Sequence, residues 1–245
     1  MSVLLTGIGW VTPGGTGRGR DFDTPPELSG TLPRIARKAF LARPLPRFGR
    51  LDDYSRCGLA AASLALKDGG LDLWKRKRNV GIISSTITGC LHTDADYFDT
   101  VIAAGGHLAS PNLFAYTLPN AFLGEAAIHF GLAGAAFAVY ENPLTGMASV
   151  RFAIASIIGG ECSSMLAGMC NTEGTGALGA DEEHPAGSIF ALLRRRNGRI
   201  AAPKAYGEID WNEEGEVSFN GRRVDSVLSL VRMCIDGPTG AGARS

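Results

Sequence analysis

Short apolar runs and periodic apolar positions divide the chain into alternating strands and helices. Residues 2–8 and residues 79–87 are apolar runs of strand length, which is typical of buried strands. Residues 52–70, between them, repeat their apolar positions at i, i+3, i+4 and i+7, the spacing of one helix face. Asp52 or Asp53 is a suitable N-cap for this helix, and a pair of glycines follows it.

The rest of the chain continues the alternation. It predicts helices over residues 93–104, 121–130 and 145–158, strands over 134–140, 163–170, 188–193 and 205–210, and a hairpin that turns at Asn220-Gly221. Residues 12–50 are rich in proline, glycine and arginine and predict an irregular excursion with one short helix near 32–42. The order of elements favours an α/β fold with a mainly parallel sheet and helices on both faces. We expect one domain over residues 1–235 and a flexible tail over 236–245.

The helix over residues 146–158 is apolar around most of its circumference. A helix of this kind is stable only when it is buried on all sides. In a sheet flanked by helices, however, the outer face of each helix meets water. The pattern therefore predicts a cover for this helix, either a partner subunit or residues 11–50 or 211–235 of the same chain.

Composition and charge exclude several classes of protein. Hydrophobic residues make up 45% of the 245 positions and charged residues 20%, as in ordinary globular domains. The 24 basic and 24 acidic residues cancel, so no overall charge favours nucleic acid or a membrane surface. Two local basic runs, Lys75–Arg78 and Arg194–Arg196, are expected to be solvated turns or helix ends, with docking of an acidic carrier as the alternative.

Cysteine and histidine spacing gives no sign of a metal site. The five cysteines lack CxxC spacing and the four histidines are scattered, so we expect reduced thiols, no metal and no cofactor. Reduced thiols indicate a cytoplasmic protein. No apolar stretch reaches the roughly 18 uninterrupted residues of a membrane span, so no membrane insertion is expected.

The segment "VYENPLTGMASVRFAIASIIGG", Val139–Gly160, has the layout of a nucleophile-bearing elbow. A strand ends, a short polar turn follows, and an apolar helix begins, which is where many enzymes place a reactive side chain. The turn, residues 141–145, contains no cysteine. Glu141 is its notable polar residue, because a carboxylate at a helix N-terminus is electrostatically favoured. Its predicted role is a helix cap, with support of a decarboxylation as the alternative.

Several segments, in order, resemble the N-terminal half of the beta-ketoacyl synthases, members of the thiolase-like superfamily. They are "VLLTGIGWVTPGG", "RFGRLDDYSRCGLAAASLAL", "VGIISSTITG", "TLPNAFLGEAAIHFGLAG", "SIIGGECSSMLAGMCNTE" and "GSIFALLRRRNGR", and together they cover about residues 1–210. The resemblance implies a single N-terminal-type half: a mainly parallel five-stranded sheet flanked by helices and completed by oligomerisation.

The resemblance also implies where the family's chemistry should lie, and this chain departs from it there. Counting back from "GMASVRFA" puts Pro143 at the position of the family's acyl-accepting cysteine, and proline has neither a nucleophile nor an N–H. No segment matches the second half of the family, which supplies two histidines and a glycine-rich oxyanion loop. Cys90, with His92 two residues on, is an alternative nucleophile. Cys162 and Cys170, at or within a predicted buried strand, are expected to be structural.

These departures lead to three hypotheses for function. The first is an accessory or partner subunit in fatty-acid or polyketide biosynthesis, similar to the family's chain-length factors and inactive as a synthase on its own. It would form a homodimer, or a heterodimer with a full-length ketosynthase, through residues 134–140 and 110–125, and could dock an acyl carrier protein. The second is an acyl-thioester transferase or hydrolase that uses Cys90 or Glu141. The third is a non-catalytic acyl-binding scaffold.

Overall fold

A large mixed sheet with helices on both faces forms the centre of the protein. The computed structural model describes residues 2–103, 105–172, 185–196, 205–212 and 214–237. Its strands are β1 (Val3–Thr12), β2 (Gly15–Arg18), β3 (Val80–Thr86), β4 (Ala136–Tyr140), β5 (Ser164–Asn171), β6 (Gly187–Arg195), β7 (Gly207–Trp211), β8 (Val217–Phe219) and β9 (Arg222–Val224). Its α-helices are α1 (Asp53–Asp68), α2 (Leu91–Ala103), α3 (Pro111–Phe114), α4 (Ala121–Phe130), α5 (Met147–Ile158) and α6 (Val227–Asp236).

The strand order is β4-β3-β5-β6-β1-β7-β8-β9, and β2 also pairs with β1. Strand β3 is parallel to β4 and β5, whereas β6 is antiparallel to both of its neighbours, β5 and β1. Four strands of the β4-β3-β5-β6-β1 group therefore run in one direction, and the predicted α/β class is confirmed. The expected count of five strands needs correction, because β2, β7, β8 and β9 extend this group through antiparallel pairing to nine strands in the described residues.

Helices α1 and α4 cover one face of the sheet. The α1 helix begins as predicted, because the Asp52 carboxylate accepts a hydrogen bond from the Ser55 amide at 3.0 Å. Glycine in β1 lets α1 approach closely: a Cβ on Gly9 would lie 2.3 Å from the backbone nitrogen of Ala65. Leu59, Leu66 and Phe122 are fully buried in the resulting core.

Helices α5 and α6 share the opposite face, and together with the sheet they form a second core. The α6 helix, which the sequence did not predict, begins at a capping box formed by Ser226 and Ser229. It provides part of the cover expected from residues 211–235. The cover is incomplete, since Phe152 and Ile158 of α5 remain 49% and 44% exposed. The described residues therefore cover α5 only in part, and cover of the remainder by a partner subunit stays a prediction.

The structure also tests the predictions for the hairpin and for the excursion over residues 12–50. The hairpin between β8 and β9 turns at Asn220 and Gly221, which have φ values of 50° and 77°, as a two-residue turn of this kind requires. The excursion over residues 12–50 is largely irregular, and its expected short helix is a 3-10 turn over Arg37–Ala39, with a second at Pro46–Arg50. The expected tail lies outside the described residues from position 238 onward.

Three arginines from the two basic runs hold the carboxyl ends of helices. Arg78 Nη2 donates to the Phe130 carbonyl at the end of α4, at 3.0 Å, and Arg194 Nη2 donates to Gly69, just after α1, at 2.6 Å. Arg195 donates to the carbonyl of Ile157 in the last turn of α5. Cations are favoured at these helix ends. These three side chains are therefore internal supports, and the interpretation of both runs as solvated turns is wrong for them.

Candidate active-site edge

The carboxyl ends of β3, β4 and β5 lie at one edge of the sheet, where ligands bind in many α/β folds. Polar side chains connect the segments that leave these strands. The Asn171 side-chain oxygen accepts hydrogen bonds from the Thr88 amide at 3.1 Å and from the Thr88 hydroxyl at 2.7 Å. The backbone amide of Glu141 donates to the carbonyl of Thr86 at 3.0 Å. This edge contains the elbow predicted from the sequence.

The Glu141 side chain organises the elbow. Its carboxylate accepts hydrogen bonds from the Thr145 hydroxyl at 2.7 Å, the Gly146 amide at 2.9 Å and the Ala148 amide at 3.1 Å. The Met147 amide donates to the Thr145 hydroxyl oxygen at 3.2 Å. Glu141 therefore lies where the sequence places it and acts as a cap for α5.

Buried serines complete the start of α5. The Ser149 amide donates to the Ser85 hydroxyl oxygen at 3.2 Å, and the Ser149 hydroxyl oxygen lies 2.8 Å from the carbonyl oxygens of both Gly146 and Gly168. Every amide from Gly146 to Ser149 thus donates to a side chain of this protein. Sequence reasoning missed Ser85 and Ser149; the signal was a run of small polar residues at otherwise apolar positions.

This hydrogen bonding limits the chemistry that the elbow can perform. An oxyanion hole requires free amides aimed at a developing negative charge. Here the amides at the start of α5 are occupied, and the Glu141 carboxylate already offsets the positive end of the helix dipole. Gly146 has a φ of 79°, and a Cβ there would lie 2.6 Å from a methyl group of Val227, so the turn is also tightly packed. The elbow therefore has no free amide between Gly146 and Ser149 that could bind a substrate oxyanion.

Pro143 is exposed at the tip of the elbow and follows a cis peptide bond from Asn142. Its side chain has no group that could accept an acyl chain, and none of the five cysteines in the sequence lies between residues 139 and 160. The position that the resemblance assigns to the nucleophile therefore carries an exposed but unreactive side chain.

Cys90, the alternative nucleophile, has unfavourable surroundings for this role. The side chain is buried, and its sulfur lies 3.7 Å from one carboxylate oxygen of Asp94. Burial, followed by the nearby charges of Asp94 and Asp52, raises the pKa of the Cys90 thiol to about 12. His92 is exposed and faces Asp96, with 3.7 Å between its Nδ1 and a carboxylate oxygen. In the described residues, Cys90 thus contacts Asp94 and His92 contacts Asp96.

The remaining thiols are also buried and reduced. The sulfur of Cys170 contacts the carbonyl of Tyr54 at 3.5 Å, and burial raises the pKa values of Cys170 and Cys234. Within the described ranges, no three histidine, cysteine, aspartate or glutamate side chains are grouped so that they could hold a metal ion. None of the described helices has the length and apolar character needed to cross a membrane.

Beside this edge, residues 91–103 and 105–118 form an arm that contains α2 and α3. At the base of the arm the Thr93 hydroxyl donates a hydrogen bond to the Asp52 carboxylate at 2.7 Å. Within the arm the tilted rings of Tyr97 and Phe114 pack together, with 5.5 Å between ring centroids. Of the α2 residues only Thr93 is buried. Five large apolar side chains of the arm are more than half exposed: Phe98, Ile102, Leu108, Phe114 and Leu118.

Strand β4 lies at the end of the sheet, and among the described strands it pairs with β3 alone. Its outer edge therefore presents unpaired backbone groups. Tyr140, at the end of this strand, is 70% exposed. Phe137 packs edge to face against Phe152 of α5, with 5.7 Å between ring centroids, so apolar surface continues from β4 to the exposed side of α5.

Comparison with known protein families identifies the fold. The model of the family described as beta-ketoacyl synthase, N-terminal domain, matches residues 35–180. The chain belongs to this family. The resemblance inferred from the sequence motifs is confirmed. No curated protein sequence matches the chain.

Solved structures of ketosynthases share the fold of this ketosynthase-type domain. A chain of the ishigamide ketosynthase/chain length factor is 19% identical over 85% of this chain and 62% of its own length, with a TM-score of 0.65. A beta-ketoacyl synthase from Burkholderia phymatum STM815 is 17% identical over 85% and 62%, with a TM-score of 0.60. The present chain thus spans about 62% of the length of these relatives.

A third relative is similar in length to this chain. It comes from the ketosynthase ApeO in complex with its chain length factor ApeC from Xenorhabdus doucetiae, and 81% of each chain is covered at 17% identity and a TM-score of 0.53. Since both covered shares are equal, the two chains have about the same number of residues. A ketosynthase-like fold therefore occurs in a second chain of this size.

Proposed function

We propose that this protein is a ketosynthase-like accessory subunit that lacks the catalytic cysteine and pairs with a full-length ketosynthase in polyketide or fatty-acid biosynthesis. The observation that carries the proposal is the elbow. The position that the resemblance assigns to the nucleophile holds Pro143, and the amides at the start of α5 donate to Glu141, Thr145 and Ser85. A side chain that cannot be acylated and amides that cannot receive an oxyanion are both expected of a non-condensing subunit.

The open surfaces support a partner role. The β4 edge and the arm expose backbone groups and large apolar side chains that a stable monomer ordinarily covers. Two of the similar structures are of a ketosynthase with a chain length factor, and another is of an acyl-carrier protein in complex with its ketosynthase. By analogy we infer a ketosynthase partner bound at residues 110–125 and 134–140, and an acyl carrier protein as a further partner.

The alternative of an acyl-thioester transferase or hydrolase gains no support from its two candidate residues. The Cys90 thiol is buried, with a pKa raised to about 12, and the Glu141 carboxylate is engaged by three donors. The scaffold alternative differs from the proposal in needing no ketosynthase partner, so a pairing experiment separates these two.

Covalent loading tests the loss of chemistry. The protein is incubated with acyl-CoA and with acyl-loaded carrier protein, and its intact mass is measured. We expect no adduct. A stable adduct that disappears in Cys90→Ser would instead support the transferase hypothesis.

Co-expression tests the partnership. The chain is produced with the full-length ketosynthase of the same source, and the native mass is measured; we expect a stable one-to-one complex. Tyr140→Lys should weaken this complex because it places a charge at the β4 edge. Trp211→Lys, the same kind of change at an exposed aromatic residue of β7, which four strands separate from β4, should not. A soluble monomer that does not bind the ketosynthase would contradict the proposal.

A further inference from the structure

Basic residues collect in two segments on the α1–α4 face of the sheet. Residues 28–51 contain six basic residues and no aspartate or glutamate, and residues 73–92 contain four basic residues and again no acidic one. All of these basic side chains are exposed except Arg78, which is half-buried. Phe40 and Leu45 are buried in the core beside α1 and hold the first segment on this face. The zero net charge of the whole chain therefore conceals a basic surface.

Side-chain contacts bring the two segments together along α4. Arg47 forms an ion pair with Glu125 of α4 at 3.7 Å, and Arg43 Nη2 donates to the Trp74 carbonyl at 3.2 Å. Trp74 Nε1 in turn donates at 2.8 Å to the carbonyl of His129, one helical turn after Glu125. The exposed cations on both sides of these contacts form one basic strip, which consists of Arg43, Arg47, Arg50, Lys75, Arg76 and Lys77.

The carboxylates nearest the strip do not balance its charge. Glu125 is engaged by Arg47, and Asp72, which precedes the second segment, is half-buried. Asp53, in the first turn of α1, is paired with Arg56 at 2.9 Å. The strip therefore keeps an excess of positive charge even when both Glu125 and Asp72 are counted against it.

Two large apolar side chains are exposed beside the strip. Leu73, immediately before Trp74, is 58% exposed, and Ile128, immediately before His129, is 67% exposed. The aromatic side chains of the same region, Phe48 and Trp74, are half-buried. Protein partners are ordinarily anchored by exposed aromatic residues and arginine in a well-packed centre. Exposed aliphatic side chains among lysine and arginine are instead typical of surfaces that adsorb to lipid headgroups.

We infer that the basic strip adsorbs to an anionic lipid surface, with its cations at the headgroup phosphates and Leu73 inserted between the headgroups. Each lysine or arginine near an anionic leaflet adds to the attraction, which decays within a Debye length. The strip lies on the face of the sheet opposite α5 and α6, so these helices stay accessible when it is bound. This inference goes beyond the proposed function and does not depend on it.

Vesicle co-sedimentation tests the inference. The purified full chain is mixed with vesicles of phosphatidylcholine alone, or of phosphatidylcholine with about 30% phosphatidylglycerol, at about 50 mM and about 500 mM salt. Sedimentation without vesicles corrects for aggregation. We expect binding to the anionic vesicles to be at least about tenfold tighter than to the neutral ones at low salt, and to weaken at least about tenfold at high salt.

Matched variants separate the contributions of charge and apolar contact. Lys75→Glu/Lys77→Glu should weaken binding to anionic vesicles at least about tenfold, and Leu73→Ser should weaken it several-fold. The control, Arg222→Glu/Arg223→Glu, makes the same charge change at exposed positions of β9, at the other end of the strand order from β4, and should bind like wild type. Equal urea midpoints establish that all variants are folded.

Three results would overturn the inference: no binding to either vesicle at low salt, equal binding to both vesicles, or unchanged binding of Lys75→Glu/Lys77→Glu. An acyl carrier protein that binds wild type but not this variant, while anionic vesicles do not bind, would assign the strip to an acidic protein and would also overturn it. Each of these results leaves the proposed function standing, because pairing with the ketosynthase is measured separately by co-expression.

Discussion

The carboxylate of Glu141 lies 2.7 Å from the hydroxyl of Thr145, and together these side chains bind three successive backbone amides at the start of α5. In an enzyme of the elbow type, such amides are free to receive the substrate oxyanion. Here they are used for stability. These side chains thus form a cap at the start of α5.

Replacing Glu141 should destabilise the fold. In Glu141→Ala the amides of Gly146 and Ala148 lose their acceptor, and we expect a loss of about 1–2 kcal/mol in the free energy of unfolding. Glu141→Gln keeps an acceptor oxygen and should lose less. Urea unfolding measures both, with the exposed residue Glu214→Ala as a control that should stay within about 0.5 kcal/mol of wild type. Equal stability of Glu141→Ala and wild type would show that the cap contributes nothing.

The native thiols should resist alkylation. With a pKa raised to about 12, the Cys90 thiol is ionised in only about one molecule in 10⁴ at pH 8, and it is also buried. We expect no iodoacetamide adduct on the folded protein and five adducts in urea, counted by intact mass. Pro143→Cys places a thiol at an exposed position and should give one adduct under native conditions. Rapid labelling of Cys90 in the folded protein would contradict this prediction and support Cys90 as a nucleophile.

Alkaline pH should weaken the fold. Burial raises the pKa values of Tyr54 and Cys170 in the folded state, so these groups keep their protons at a pH where the unfolded chain has lost them. The contribution of each group is complete below its pKa in the unfolded chain, about 8.5 for cysteine and about 10 for tyrosine, and above that pKa it falls by about 1.4 kcal/mol per pH unit. Urea midpoints at pH 8 and 10.5 measure this fall, and unchanged midpoints would refute it. Absorbance at 295 nm should show Tyr54 ionising only on unfolding.

Two glycine substitutions should act in opposite directions. A Cβ on Gly124, within α4, meets no atom within 4 Å, so Gly124→Ala should stabilise the protein by about 0.5–1 kcal/mol. A Cβ on Gly168 would lie 2.0 Å from the carbonyl oxygen of Ile189 in the neighbouring strand β6, so Gly168→Ala should cost about 3 kcal/mol or more. Thermal unfolding of both variants compares them directly. A neutral Gly168→Ala would mean that β5 and β6 can separate at little cost.

Short sequence motifs were sufficient to predict helix starts and turns whose stabilising contacts lie between neighbouring residues. The Asp52-Asp53 pair indicated the start of α1, where the structure selects Asp52 as the cap, and the Asn220-Gly221 pair indicated the β8–β9 turn, because both depend on neighbouring residues. The α6 helix was missed although Ser226 and Ser229 provide a capping box, since its apolar pattern directly follows a short hairpin.

Long-range relationships were beyond sequence reasoning. Strand β6 inserts between β5 and β1, and Arg194 reaches Gly69 across 125 positions; neither follows from periodicity. In the elbow, the sequence indicated that Glu141 would act as a cap. It could not indicate that Ser85, on a different strand, takes the fourth amide, because that contact depends on how α5 packs against β3.

The open edge of β4 also has a consequence for the life of the protein in a cell. A strand with unpaired backbone groups beside exposed apolar side chains is a substrate for chaperones and proteases and a seed for aggregation until it is covered. We therefore expect the abundance of this chain to follow the supply of its partner, with surplus copies degraded. Stoichiometry would then be enforced by turnover of the orphan subunit, without any dedicated regulator.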